Sequence, residues 1–430
     1  MGMTMTQKTL ADAAGVDAVE VGEVIFPEVN AVSTTDISVQ QIDGVLKELG
    51  SKKIFDPDRI SISADHFHLN NHQKELSRIR QTRKFAQRFK VENYTPPGRR
   101  GISHIHNSES GHVIPGDVVV SGDSHASAYG AIGAVGLAVG GTDLAMAMTL
   151  GKLWLQVPES IRVTFTGEPD QVITGKDFAL RMQRELGPTG ALGKAIEFDG
   201  NSLEAFPIGD RFIIADSAFE CGALTGLMIP HGKALEYLAD QTQREAQYYL
   251  PDDDAEFADT IEIDAENVEP LIREVGTNSI FGVSGLTKTV PIDQVIIGGC
   301  AGGQIEDLYL AAKVLKYREI HEDVRLMIVP GSVQVYRRLI NEGLASIFTE
   351  LGASIHPPTC GPCPESTIAS LAPGERGVVT SRGRSYQNGS QVYSASVAVA
   401  AATAVTGELT DPRELIAESE SSGNGAPREY

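Results

Sequence analysis

Short apolar runs alternate with stretches of helical spacing along most of this chain. Arg59–Ser63 (RISIS) predicts a strand ending at Asp65-His66, and Asp117–Ser121 (DVVVS) predicts a buried strand running into Gly122-Asp123-Ser124-His125. Val295–Gly299 (VIIGG) predicts another, ending at Cys300, and Val324–Val329 a fourth, ending at Pro330-Gly331-Ser332. Apolar residues recur at helical spacing over Gln304–Lys316, Gln334–Leu351 and Ser394–Thr406. Alternating strand and helix predicts α/β layers with largely parallel sheets. In such sheets ligands bind beyond the carboxyl ends of the strands. Asp65-His66, Asp123-Ser124-His125 and Cys300 all fall at such ends.

Size and charge narrow the picture. A chain of 430 residues exceeds what one core usually supports, so two or three domains are expected. The net charge of −21 argues against nucleic acid, whose phosphates call for basic patches. There is no apolar run of the roughly 18 residues a membrane span needs, and the start lacks a secretory pattern, so a cytoplasmic location is expected. The polar segment 417–430 is expected to be a disordered tail, and the first dozen residues to be loose.

The candidate chemistry is concentrated in two places. Of four cysteines, Cys300, Cys360 and Cys363 lie in the last third, within Gly- and Pro-rich sequence, and two form a Cys-x-x-Cys. Three thiolates suit an iron–sulfur cluster, with one iron left open as a Lewis acid. Zinc held with His356, a redox pair, or packed thiols are the alternatives; Cys221 reads as a core thiol. Seven of the ten histidines fall between His66 and His125. His68, His72, His106 and His112 read as surface or core residues. Asp65-His66 and Asp123-Ser124-His125 each couple a carboxylate to an imidazole after a strand, which suits proton transfer.

Together these residues resemble the aconitase superfamily, and most the large subunits of isopropylmalate isomerase and its relatives. Pro115–Met148, with its Gly-Asp-Ser-His and Gly-rich continuation, carries the resemblance most specifically; Ile173–Leu180, Gly190–Gly200, Pro330–Leu339 and Val397–Leu415 are similar to family segments too. The resemblance implies three α/β/α domains around a cleft, 1–167, 168–290 and 291–416. It implies one [4Fe–4S] cluster on Cys300, Cys360 and Cys363, with one iron open. It implies proton relay by Asp65, His66, His104, Asp123 and His125, supported by Ser124, with Glu220 near the open iron and Arg384 on a substrate carboxylate. The family's mobile swivel domain is not found in this chain, so a separate small swivel subunit is the expected partner, with a small hydroxy-polycarboxylate as substrate.

The departures from the family are as informative. Ala301, Gly302 and Gln304 stand where it usually has Thr, Asn and often Arg, and Asp216 replaces an asparagine. Gly383 and Gly389 replace an asparagine and an arginine. These exchanges point to a changed second acid group on the substrate. The expected activity is a hydro-lyase that dehydrates and rehydrates a hydroxy di- or tricarboxylic acid, an isomerisation of the 3-isopropylmalate dehydratase kind. A specialised dehydratase of another malate-like or phosphonate-like acid, a non-catalytic metal-binding protein and an RNA-binding iron sensor are the rivals.

Overall fold

The computed structural model describes residues 2–67, 69, 72–239, 244–360, 363, 368, 370–384 and 388–421; of 417–421 it describes the backbone alone. His68 and the end of the predicted tail, 422–430, lie outside the described residues. The chain folds as two compact units: Met1–Pro169 with Arg181–Asn267, and Asp170–Leu180 with Val268–Tyr430.

The first unit holds two parallel sheets. One contains Ala31–Thr35 (β1), Ile60–Ser63 (β2), Asn93–Thr95 (β3), Val118–Ser121 (β4) and Val135–Ala138 (β5), in the order β3-β2-β1-β4-β5. β1, β2 and β4 are buried along their whole length, as expected of parallel strands covered on both faces. The helices that cover them use only one face. Val39–Glu48 buries Val39, Ile42 and Leu46, and Gln73–Phe89 buries Phe85, Ala86 and Phe89. The strand order reverses between β1 and β4, which makes their carboxyl ends a topological switch point.

The second sheet of this unit is Ser160–Thr166 (β6), Ala195–Asp199 (β7), Thr225–Met228 (β8) and Asp259–Asp264 (β9), in the order β8-β7-β6-β9. It explains why the first dozen residues are not loose. The helix Met5–Ala14 starts in a capping box between Thr4 and Gln7. Its first backbone N–H groups, of Met5 and Thr6, donate to the buried Glu197 carboxylate of β7 at 3.0 and 2.9 Å. A carboxylate at a helix N-terminus meets both the unpaired donors and the helix dipole.

The second unit holds one mixed sheet. Its strands are Leu271–Glu274 (β10), Ser279–Gly282 (β11), Gln294–Gly298 (β12), Arg325–Val329 (β13), Ser354–Ile355 (β14), Arg376–Val379 (β15) and Gln391–Ala395 (β16). The order is β11-β10-β16-β15-β12-β13-β14, parallel from β16 to β14 and antiparallel at the other end. The helix expected from Ser394 starts later, at Val397, because Gln391–Ala395 is drawn into the sheet as β16. Val397–Ala404 is then buried all round. The helix expected over Gln334–Leu351 is two, Val333–Asn341 and Leu344–Glu350, divided where Gly343 takes a left-handed φ of 82°. The second sheet begins at Ser160 and the third at Leu271, each somewhat before the expected boundary at 168 or 291. The segment 417–421, expected in the tail, continues the helix Pro412–Ser421.

Candidate active site

Three strands of the first sheet end in acidic residues around the switch point. Asp36 follows β1, Asp65-His66 follows β2, and Asp123-Ser124-His125 follows β4. Asp36 is 1% exposed and accepts the backbone N–H groups of His66 and Phe67 at 3.3 and 3.2 Å. It thereby fixes the turn that presents His66. The His66 ring lies with Nδ1 2.8 Å from Asp65 Oδ1 and 3.3 Å from Asp36 Oδ1. The other oxygen of Asp65 accepts the N–H of Ser103 at 2.8 Å. Ser103 opens the short helix Ser103–Glu109, so the same carboxylate that holds His66 also places His104.

His104 stacks on His125, with ring centroids 5.6 Å apart and planes at 16°. Phe212 also meets His104 in an edge-type contact, with ring centroids 6.2 Å apart. Asp123 caps the 3-10 run Ser124–Ile132, and its Oδ1 takes both the N–H of His125, at 3.1 Å, and ring Nδ1, at 2.8 Å. His125 Nε2 points towards Asp216 Oδ2, 3.8 Å away. Beneath this layer, Asn107 joins Ser61, Ser33 and Tyr129 at 2.7, 3.1 and 2.8 Å, tying β1, β2 and the 3-10 run together. Glu220 sits on the turn Ala218–Cys221, which packs on the same run, and accepts the Gln183 amide at 2.6 Å.

The two carboxylate–imidazole pairs differ electrically. Burial raises the Asp65 carboxyl above its ordinary value, against the opposing pull of His66. For His66 burial works downward, but the Asp65 charge and the bonds to Asp36 and Asp65 lift it well above the ordinary imidazole. That pair holds its proton. Asp123 behaves oppositely: burial works upward, but His125, then His66 and His104, hold it far below the usual carboxylate range. Asp123 therefore stays ionised, and as a pure acceptor it requires the proton of His125 to sit on Nδ1. Neighbouring groups pushed apart in this way are the usual basis for separate acid and base roles. Asp36, Asp65 and His66 offer ligand atoms within 4.8 Å of one another. Backbone N–H groups and the His66 ring already bind these carboxylates, so the trio is a hydrogen-bonded cluster.

In the second unit Cys300 follows β12, and Ser381 follows β15, the adjacent parallel strand. Thr380 ties the two ends: its Oγ1 accepts the N–H of Gly298 and donates to the carbonyl of Ala301, both at 2.8 Å. The turn needs its glycines. At Gly298, φ is 112° and a Cβ would come within 1.9 Å of the Val329 carbonyl oxygen. At Gly302, φ is 75° and a Cβ would meet Thr380 Oγ1 at 2.6 Å and Val397 Cγ2 at 2.8 Å. The departure at Gly302 is therefore built into the packing of this chain. Cys363 N–H donates to Cys360 O at 3.1 Å, and Cys363 Sγ lies 3.8 Å from Ser381 Oγ. Cys360 is buried; Cys300 and Cys363 are partly so, and none of the four cysteines is in a disulfide. Gln304 caps the helix Ile305–Leu315, with its N–H on Asp307 Oδ2 at 2.9 Å. Its side-chain Nε2 is buried with no protein acceptor, although the residue is only 6% exposed. Soft thiols, a close glycine turn and an orphaned buried amide fit an anionic iron–sulfur group. Arg384 is exposed, five residues beyond the end of β15. Of the run Gly383–Gly389, residues 385–387 lie outside the described ones, as do 361, 362 and 364–367 around Cys363.

Sequence reasoning missed three residues of the buried network. Asp36 follows AVSTT, which is too polar to stand out as a strand, yet its place matches that of Asp65 after ISIS. Asn107 carried no local signal. Asp216 was legible only as a departure, and its approach to His125 needed the fold.

The sequence profile of the aconitase family (aconitate hydratase) matches residues 29–279 and 283–407. The 3-isopropylmalate dehydratase large subunit of Acetivibrio thermocellus is 39% identical over 419 residues, covering 96% of this chain and 100% of that protein. The 3-isopropylmalate dehydratase large subunit 1 of Pyrococcus abyssi is 38% identical over 422 residues, 97% of this chain and 100% of its own. The large subunit of Clostridium beijerinckii is 39% identical over 420 residues, 97% and 100%. A doubly wound α/β frame with Asp–His pairs at strand ends is thus that of a hydro-lyase. The chain belongs to the aconitase family. No helix among the described residues is long and apolar enough to cross a membrane.

Proposed function

We propose that this chain dehydrates and rehydrates a small hydroxy di- or tricarboxylic acid, as the large subunit of a 3-isopropylmalate dehydratase-like enzyme working with a small swivel subunit in the cytoplasm. The observation that carries this reading is the pair of buried carboxylate–imidazole couples at one switch point, their carboxyls shifted in opposite directions. Expelling a hydroxyl needs a proton donor held ready and an ionised partner that keeps the donor in place. The Asp65–His66 couple holds a proton, and Asp123 fixes His125 in one orientation. His104 stacks on His125 and limits its movement. Ser124, between the two reacting members of its motif, and Glu220 add polar contacts for the hydroxyl; Arg384 meets a carboxylate as a planar cation.

Cys300, Cys360 and Cys363 would hold one [4Fe–4S] cluster. Bound there, it supplies a Lewis-acidic iron for the hydroxyl and its neighbouring carboxylate. The partner rests on the relatives, which are named large subunits and which this chain matches over their full length. Three domains, 1–167, 168–290 and 291–416, are part of the same reading.

The packing around Gly302 favours a second reading, a dehydratase specialised for another malate-like or phosphonate-like acid. Thr380 and Val397 fill the space a larger residue would take there. The test is an ultraviolet assay for the unsaturated product. The anaerobically reconstituted chain and a small subunit would be given a panel of hydroxy acids. Turnover of 3-isopropylmalate supports the first reading, turnover of another acid alone supports the second, and none with a full cluster removes both.

A further inference from the structure

We propose that Asp216 is a functional partner of His125, and that Asp216 Oδ2 and His125 Nε2 form a two-point cradle for one hydroxyl group or water. The two atoms are 3.8 Å apart, too far for a direct hydrogen bond. They are close enough for one oxygen to lie within about 2.8 Å of both. That oxygen would accept from Nε2–H and donate its own hydrogen to the Asp216 carboxylate. The helix Ile208–Ser217, which carries Asp216, packs along Ser124–Ile132, so the approach is set by main-chain packing. The anchor of that helix is the fully buried Arg211, whose guanidinium donates to the carbonyls of Ala131, Leu203 and Ile229 at 3.1, 3.0 and 2.6 Å.

The groups around His125 define its charge. Asp123 faces Nδ1, Asp216 faces Nε2, and His104 stacks on the ring. His66 acts on the same cluster through Asp123, while Glu220 and Tyr237 lie on elements packed against the Ser124–Ile132 run. A carboxylate at each ring nitrogen favours the doubly protonated imidazole. This inference rests on the dehydration reading. Nε2 gives its proton to the hydroxyl, the C–O bond breaks with its electron pair going to oxygen, and water forms. A base takes the proton from the adjacent carbon, whose C–H electrons become the new double bond. Asp216 keeps the water it has cradled, ready for return in the reverse direction.

The test is a histidine NMR titration of the full chain labelled at ring carbons, with His125→Gln used only to assign the signal. In Asp216→Asn the His125 midpoint is expected to fall by about one pH unit. In the complex with the small subunit, the alkaline limb of the kcat profile is expected to fall by the same amount. A merely structural Asp216 would change stability and leave both midpoints in place, which overturns the proposal. A neutral His125 at pH 7 in the unaltered chain also overturns it, whether or not the variant folds. The titration needs no turnover, so an inactive complex with the expected midpoints would sink the dehydration reading alone.

Discussion

The site in the first unit and the cysteine region of the second are built in contrasting ways. Around β1, β2 and β4 the charged groups are closed upon one another, although the buried hydroxyls of Thr34 and Ser63 have no hydrogen-bond partner among the described residues. Asp36, Asp65 and Asp123 bind backbone N–H groups and imidazoles, and Asn107 ties the layer below. Around β12 and β15 the framework is tight, but one buried amide, Gln304 Nε2, meets no protein acceptor. A buried donor left without an acceptor costs roughly 1–3 kcal/mol. The first region holds its charged groups against protein partners, whereas the second would be completed by the proposed cluster. Loss of that group should therefore be felt in the second unit and leave the acid–base half assembled.

The strongest way to break this contrast is to remove a thiol. Cys360→Ser is expected to lower the reconstituted content from about four irons and four sulfides per chain to almost none. Activity should vanish, while the histidine signals of His66 and His125 stay where they are. Movement of those signals would show that the first site is not self-sufficient.

Asp123→Asn removes the ionised anchor of His125 and leaves the cysteines untouched. We expect kcat to fall by about 10²–10⁴-fold with the cluster spectrum unchanged. A full-rate variant would remove Asp123 from the proposed relay.

Acid should weaken the first unit through two histidines outside the relay. Burial, with help from Arg100 and His112, lowers His106 to about 4; burial, with help from Arg244, lowers His112 to about 4. Both are neutral when folded at pH 7. As pH falls below the ordinary 6.5 the unfolded chain gains protons that the folded one refuses until about 4, so stability present above 6.5 is lost through that window. The loss is roughly 2 kcal/mol for each by pH 5. Urea unfolding followed by Trp154, the single tryptophan and a residue of this unit, should show a lower midpoint at pH 5 than at pH 7. An unchanged midpoint would contradict the burial of these rings.

The smallest effect is expected at Gly302→Ala. The added Cβ would crowd Thr380 and Val397 on a backbone of φ 75°, at a cost of roughly 1–3 kcal/mol. Calorimetry should place the loss in the second unit. Full stability, with the cluster spectrum kept, would show that the turn has room and reopen the substrate argument built on it.

The sequence by itself determined the strands at Ile60–Ser63, Val118–Ser121, Gln294–Gly298 and Arg325–Val329, because short runs rich in Ile and Val, closed by turn or polar residues, have few other stable uses. It also marked Asp65-His66 and Asp123-Ser124-His125, since both motifs stand directly after such runs. It misplaced the start of the helix at Val397, where the sheet took Gln391–Ala395, and the break at Gly343, where a left-handed residue divides one apolar pattern into two helices. Only the tertiary structure decided that Asp36 holds the turn of His66, that Asn107 braces the layer beneath, and that Asp216 meets His125. Asp36, Asn107 and Asp216 are 30, 74 and 91 positions from their partners His66, Ser33 and His125. Local pattern carries no record of such pairings; the order of strands at the switch point and the burial that strengthens each charge create them.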